Sequence, residues 1–71
     1  MIKISVLIAG QHATSISLED EFFREFINIA KEKHLSRNEL VTIIDRERTV
    51  DNLSSAIRLY VLKYYKDKVQ D

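Results

Sequence analysis

Residues 14–23 read Thr-Ser-Ile-Ser-Leu-Glu-Asp-Glu-Phe-Phe, and within this stretch the hydrophobic period changes from that of a strand to that of a helix. Thr14, Ile16 and Leu18 alternate with Ala13, Ser15 and Ser17, which predicts a strand with one apolar face and one face of small polar groups. The alternation ends at Glu19. There Glu19, Asp20 and Glu21 place three carboxylates in the first turn of a predicted helix, where the positive end of the helix dipole favours them. Phe22, Phe23, Phe26, Ile27, Ile29 and Ala30 then recur at helical spacing, with Arg24, Glu25, Asn28, Lys31, Glu32 and Lys33 on the opposite side.

Working outward toward the C-terminus, Lys31 and Lys33 suit the last turn of this helix, and His34 stands where a left-handed closing residue is usual. Ser36 with Glu39 forms an S-x-x-E capping box that opens a second helix, worth roughly 1 kcal/mol as a folding signal alone. That helix turns Leu40, Val41, Ile43 and Ile44 inward and ends in the charged run Asp45–Arg48, where Arg46, Glu47 and Arg48 read as a solvated helix end. Asp51 or Asn52 can cap a third helix, in which Leu53, Ala56, Ile57, Tyr60, Val61 and Tyr64 repeat at the helical interval. Tyr60, Tyr64 and Tyr65 fall in that apolar stripe, so packing accounts for them better than a base-stacking platform does. Toward the N-terminus, Ile2, Ile4, Val6 and Ile8 alternate with Lys3, Ser5 and Leu7 as a further strand, and Gly10 and Gln11 mark a turn. The segment Met1–Ile8 can pair within the chain around Gly10 or extend a ribbon between chains. The predicted order is strand, strand, helix, helix, helix, in one unit spanning residues 1–71.

Composition narrows the classes. The chain of 71 residues is 45% hydrophobic and 31% charged, outside the regime of intrinsic disorder, and a core of that size is marginal without a further staple. Cysteine is absent, which excludes disulfides and thiolate metal sites, and His12 and His34 are too far apart in sequence for a local ligand pair. Oligomerisation is the staple left. No proline, a single glycine and no repeat leave nothing to mark a linker. The longest apolar run, Ile4 to Ala9, is too short to span a membrane and lacks a signal-peptide cleavage region, so a cytoplasmic protein without a membrane partner is expected. Eleven basic residues balance eleven acidic ones, so any basic surface must arise by segregation. No glycine-rich phosphate loop, cysteine nucleophile or histidine with a local acid partner is found, and neither an enzyme nor a cofactor is expected.

A lone strand leaves backbone groups unpaired along both edges and its apolar side uncovered. Pairing with the same strand of a second copy across a two-fold axis answers both needs, and a two-stranded ribbon has the width of the DNA major groove. The stretches TSISLEDEFF (14–23), IAKEKHLSRNELV (29–41) and NLSSAIRLYVL (52–62) resemble a ribbon-helix-helix domain of the MetJ and Arc type. The resemblance covers roughly residues 12 to 65. It is strongest to a bacterial subgroup with a Gly-His-Arg-Thr-Ser-Ile-Ser-Leu-Glu pattern before the first helix and Asn-Leu-Ser-Ser-Ala at the last.

That resemblance implies a mainly helical homodimer with a short β-ribbon, here extended by an N-terminal strand and a third helix. It implies a double-stranded DNA-binding regulator whose ribbon enters the major groove and whose second helix grips a phosphate with its N-terminus. Ala13, Ser15 and Ser17 would then face the bases, and Ser36, Arg37 and Asn38 would hold the phosphate. Thr14, Ile16, Leu18, Phe22, Phe26, Leu40 and Ile44 would form the dimer core, with His12 and Lys3 as further DNA contacts. Ala13 departs from the subgroup, which has arginine there, and the side chain best suited to guanine is lost. Two other arrangements fit the sequence: a protein-interaction module, antitoxin-like and partnered by a toxin, and a monomer whose strands form a hairpin packed on three helices.

Overall fold

In the computed structural model, which describes residues 1–69, two antiparallel strands precede three helices: β1 (Ile2–Ile8), β2 (His12–Leu18), α1 (Asp20–Glu32), α2 (Arg37–Glu47) and α3 (Leu53–Val69). The strands form a hairpin within the chain. Ile2 lies opposite Leu18, Ile4 opposite Ile16, Val6 opposite Thr14 and Ile8 opposite His12. Of the two pairings open to Met1–Ile8, the intrachain one is therefore present. Ala9 and Gly10 turn the chain with φ of 55° and 70°, and the Gln11 N–H donates to the Ile8 carbonyl at 3.0 Å. A left-handed backbone suits glycine and strains alanine.

Each helix terminus is set by a local signal. Glu19 is the residue before α1 and makes no side-chain cap, so the helix begins one residue later than the run of three acids predicts. Its carboxylate accepts instead from Arg58 Nε at 2.7 Å. His34 has φ 58°, and with Leu35 N–H donating to the Ala30 carbonyl and His34 N–H to that of Lys31 it closes α1 in a Schellman motif. The predicted box at α2 is complete: Glu39 N–H donates to Ser36 Oγ at 3.0 Å, and Ser36 N–H to Glu39 Oε1 at 2.7 Å. Asn52, not Asp51, opens α3 by accepting from Ser55 N–H at 2.9 Å.

The apolar face of the hairpin lies on the helices. Val6, Ile16, Leu18, Phe26, Ile29, Leu40, Val41, Ile44, Ile57 and Val61 are buried in one cluster. Of the residues expected in a dimer core, Ile16, Leu18, Phe26, Leu40 and Ile44 are at most 3% exposed within the single chain, while Thr14 and Phe22 are half-buried. The cover expected from a twin strand comes largely from β1, whose Val6 enters the same cluster.

Polar contacts fasten α3 to the rest. Tyr65 and Tyr64 donate their hydroxyls to Glu25 at 2.8 Å and Glu32 at 3.0 Å, and Lys68 reaches Glu32 at 2.9 Å. The two rings meet edge to face at 5.2 Å between centroids, so both tyrosines are packing residues with bonded polar tips. Arg48 is more than a solvated helix end. It pairs with Asp45 at 3.0 Å and donates to the carbonyls of Val50 and Asp51, bracing the α2–α3 connection.

Two outcomes test this account. Replacing Ala9 with glycine relieves a left-handed alanine, a strain of roughly 1–2 kcal/mol, against a smaller gain in unfolded-chain entropy, so urea denaturation should show a net stabilisation of about 0.5–1 kcal/mol. The second concerns acid. The Arg58 guanidinium holds the Glu19 carboxyl below its ordinary value of 4.5, and Lys68 with the Tyr64 hydroxyl does the same for Glu32. A carboxyl depressed by folding contributes stability fully above its ordinary value and loses it as pH falls through the depressed one. Unfolding midpoints should therefore drop below about pH 4.5, and a Glu19→Gln, Glu32→Gln double variant should show a shallower drop; an identical acid slope would show that these pairs do not couple to folding.

Candidate nucleic-acid interface

The face of the hairpin turned away from the core is built from alternate residues of both strands. Directly opposed residues of an antiparallel pair share a face, so Lys3 stands beside Ser17, Ser5 beside Ser15 and Leu7 beside Ala13. All but the half-buried Ser17 are exposed. The result is a strip of mostly small side chains carrying one full charge, that of Lys3. Ala13, Ser15 and Ser17 are thus brought together on one side, as the sequence predicts, with Ser5 and Leu7 of β1 added to them. His12 is exposed but shares the parity of Thr14 and Ile16, so its side chain leaves from the other face and does not join the strip.

The first turn of α2 adjoins this strip through a hydrogen bond. The Leu7 N–H points away from β2 and donates to Asn38 Oδ1 at 3.0 Å, and the Ala9 N–H donates to Thr42 Oγ1 at 2.9 Å. Thr42 is itself oriented by donating its hydroxyl to the Asn38 carbonyl at 2.8 Å. Two residues one helical turn apart therefore satisfy the outward N–H groups of Leu7 and Ala9 at the turn end of β1. This role for Asn38 is not visible in the local sequence, because its partner lies 31 positions away.

At that helix start, the N–H groups of Arg37 and Asn38 lie ahead of the first intrahelical bond and have no acceptor within the helix. The Arg37 side chain is exposed and adds a positive charge to the same turn. Ser36 is engaged by its own capping box, and its N–H and hydroxyl hold the Glu39 carboxyl below its ordinary range. The anion-binding capacity of this turn thus rests on the two N–H groups, the guanidinium of Arg37 and the Asn38 amide nitrogen, with the helix dipole behind them.

The opposite edge, that of β2, is closed at one end only. Ser17 N–H donates to Ser54 Oγ at 3.0 Å, and the Ser17 carbonyl accepts from Arg58 Nη2 at 3.2 Å, while Arg58 Nε engages Glu19. Ser54 and Arg58 are one turn apart on α3, so they mirror what Asn38 and Thr42 do for β1. The alternation of the ladder makes the N–H and carbonyl groups of Ala13 and Ser15 point outward as those of Ser17 do. Those two residues form the stretch of β2 edge nearest the turn, beyond the reach of the α3 clamp. Ser54 and Arg58 belong to a motif noted in the sequence, but only the distance between α3 and β2 reveals what they hold.

The described helices include none long and apolar enough to cross a membrane. No curated protein and no solved structure matches the chain. The family model of the ribbon-helix-helix domain matches residues 1–65, spanning both strands, α1, α2 and most of α3. With β2 leading into α1, a Schellman turn, and a boxed α2 whose first turn is tied to the ribbon, the chain belongs to the ribbon-helix-helix family.

Proposed function

We infer that the protein is a homodimeric double-stranded DNA-binding regulator acting inside the cell by occupancy of its site rather than by catalysis. One observation carries this reading: the outward strip of the hairpin and the anion-accepting first turn of α2 are joined by the Leu7–Asn38 hydrogen bond, so base-facing and phosphate-facing groups move as one body. Membership in a family of dimeric DNA-binding folds supports it. In this arrangement Ala13, Ser15 and Ser17 approach base edges, and Arg37 and Asn38, in the turn that Ser36 caps, fix the register on the backbone, a division of labour usual at protein–DNA interfaces. Lys3 adds a phosphate contact beside Ser17.

The second copy joins at the edge of β2. The Ala13–Ser15 window offers outward backbone groups, whereas Ser17 is already bonded to α3. A two-fold axis through Thr14 pairs Ala13 with Ser15 of the second copy and the reverse, and stops where the α3 clamp begins. The central pair of strands then presents both sets of serines to the groove.

A second reading is favoured by charge. With no net charge and only Lys3 on the outward strip, the same dimer could serve protein recognition, antitoxin-like, with a toxin as partner.

Fluorescence anisotropy against a random-sequence duplex at low salt separates the two. The regulator should bind with an affinity that falls as salt rises, and Arg37→Ala should lower the log–log salt slope by about 0.9 for each protomer contact removed. Ala13→Arg places a fork-shaped donor on the strip and should tighten binding by roughly tenfold on guanine-containing sites. Absence of salt-sensitive binding to any duplex would exclude this function and leave the interaction module.

A further inference from the structure

The outward strip of the hairpin has an apolar end. Leu7 and Ala13 face each other across the two strands next to the turn, and both are exposed. The Leu7 N–H points away from β2 to Asn38, so the two residues form a pair without mutual backbone bonds, the closer of the two kinds in an antiparallel ladder. Among the described residues, Leu7 is the one large apolar side chain left exposed within a strand, at 38%. A single exposed leucine needs no explanation in itself. Its position does, because it stands in the strip that carries the serines. Leu7 is also held in place: its N–H is bonded to Asn38 Oδ1, and its side chain shares a shallow depression with Leu35 and Ile43.

Neither Leu7 nor Ala13 carries a side-chain donor or acceptor. The amino and carbonyl groups of a base pressed against them would lose water without gaining a partner, which penalises such a contact. Of the four bases, only thymine presents a carbon group in the major groove, its C5 methyl. We propose that Leu7 and Ala13 together form a receptor for the thymine methyl, and that Leu7, on the strand added ahead of the ribbon, is a specificity-determining residue. The proposal rests on the DNA-binding reading above and names what this end of the strip recognises.

The dimensions agree with this role. With the second copy paired through Thr14, the row formed by Leu7 and Ala13 continues into Ser15 of that copy. The row from Leu7 to that serine covers two strand spacings, about 10 Å, against a groove about 12 Å wide. Twist carries a flanking strand back from the groove floor, and leucine extends further from the backbone than alanine, which suits the outer of the two positions. The two-fold axis repeats the receptor once, so the selected site has one methyl-bearing thymine in each half. The serines of the strip, able both to donate and to accept, take the remaining base edges.

The probe is a duplex selected by the wild-type chain from a random-sequence pool, then resynthesised with deoxyuridine in place of each thymine in turn. The exchange removes the methyl and leaves base pairing and the polar groups of the groove intact. Fluorescence anisotropy at fixed low salt should show binding about fourfold weaker when the contacted thymine of one half-site is replaced, and about fifteenfold weaker when both are. Leu7→Ser, with folding confirmed by far-UV circular dichroism, should bind the thymine and deoxyuridine duplexes equally. A wild-type affinity indifferent to deoxyuridine would overturn the methyl receptor. So would a Leu7→Ser variant that binds both duplexes more weakly yet keeps the wild-type ratio between them, since Leu7 would then only support the fold. A pool that yields no salt-sensitive duplex would overturn the DNA-binding reading and the receptor with it, a result distinct from binding that ignores the methyl.

Discussion

A sheet of two strands has no interior strand, so half of its backbone donors and acceptors face outward, and the architecture depends on how these are satisfied. The chain answers with side chains from helices on either flank. Asn38 and Thr42 accept from the β1 edge, while Ser54 and Arg58 complete the β2 edge at Ser17. Each pair is spaced by one helical turn, so one face of α2 meets the alternate residues Leu7 and Ala9, and one face of α3 meets both the N–H and the carbonyl of Ser17. The apolar contacts between sheet and helices could tolerate sliding; these directional bonds fix where α2 and α3 sit along the strands. They also fix where the free edge is. Because the clamp on β2 reaches only Ser17, the neighbouring Ala13 and Ser15 keep outward groups for a second chain.

Much of the fold was legible because its signals are local. The switch from period two to helical period at Glu19, the left-handed His34, and the Ser36–Glu39 box each involve residues within a few positions of one another. The two faces of β2 followed from alternation alone. What could not be read was any bond between distant residues. Asn38 reads as the second residue of a helix, and nothing nearby in sequence says that its amide serves Leu7; Arg58 reads as a surface position on α3, although it holds both Glu19 and Ser17 some forty positions away. The origin of the layer over Ile16 was likewise undetermined, since a period-two segment pairs equally well with its own chain or with a twin, and register energetics do not distinguish them before the turn is known. Ala9 and Gly10, both left-handed, settle it in favour of the hairpin.

The candidate site was legible in part for the same reason. Ala13, Ser15 and Ser17 share a face by parity, and Ser36, Arg37 and Asn38 start a helix by the box, but the adjacency of these two groups is tertiary. It arises because β1 inserts between β2 and α2, adding Lys3, Ser5 and Leu7 to the strip. His12 illustrates the converse. Its nearness in sequence to Ala13 suggested a shared role, and the alternation of side chains sends it to the other face.

Zero net charge weighs less against a polyanionic partner once the location of the charges is considered. Glu19, Glu25, Glu32 and Asp45 are each held by an arginine, lysine or tyrosine, and Glu39 is held by the N–H and hydroxyl of Ser36. Most of these acids therefore act as internal acceptors along the α1–α3 seam and the connection after α2, away from the outward strip. Lys3 and Arg37 make no ion pair among the described residues and stand on the exposed strip and the adjoining helix start. A two-fold axis doubles these two charges on one side of the assembly, where Glu39, one of the bound acids, stands in the same first turn of α2 as Arg37. Electrostatic attraction at a surface follows from the charge within about a Debye length of roughly 8–10 Å, not from the sum over the chain. A balanced composition is thus compatible with a locally positive ribbon face, and the weak point of the interface is its sparse base-reading chemistry at Ala13 rather than its overall charge.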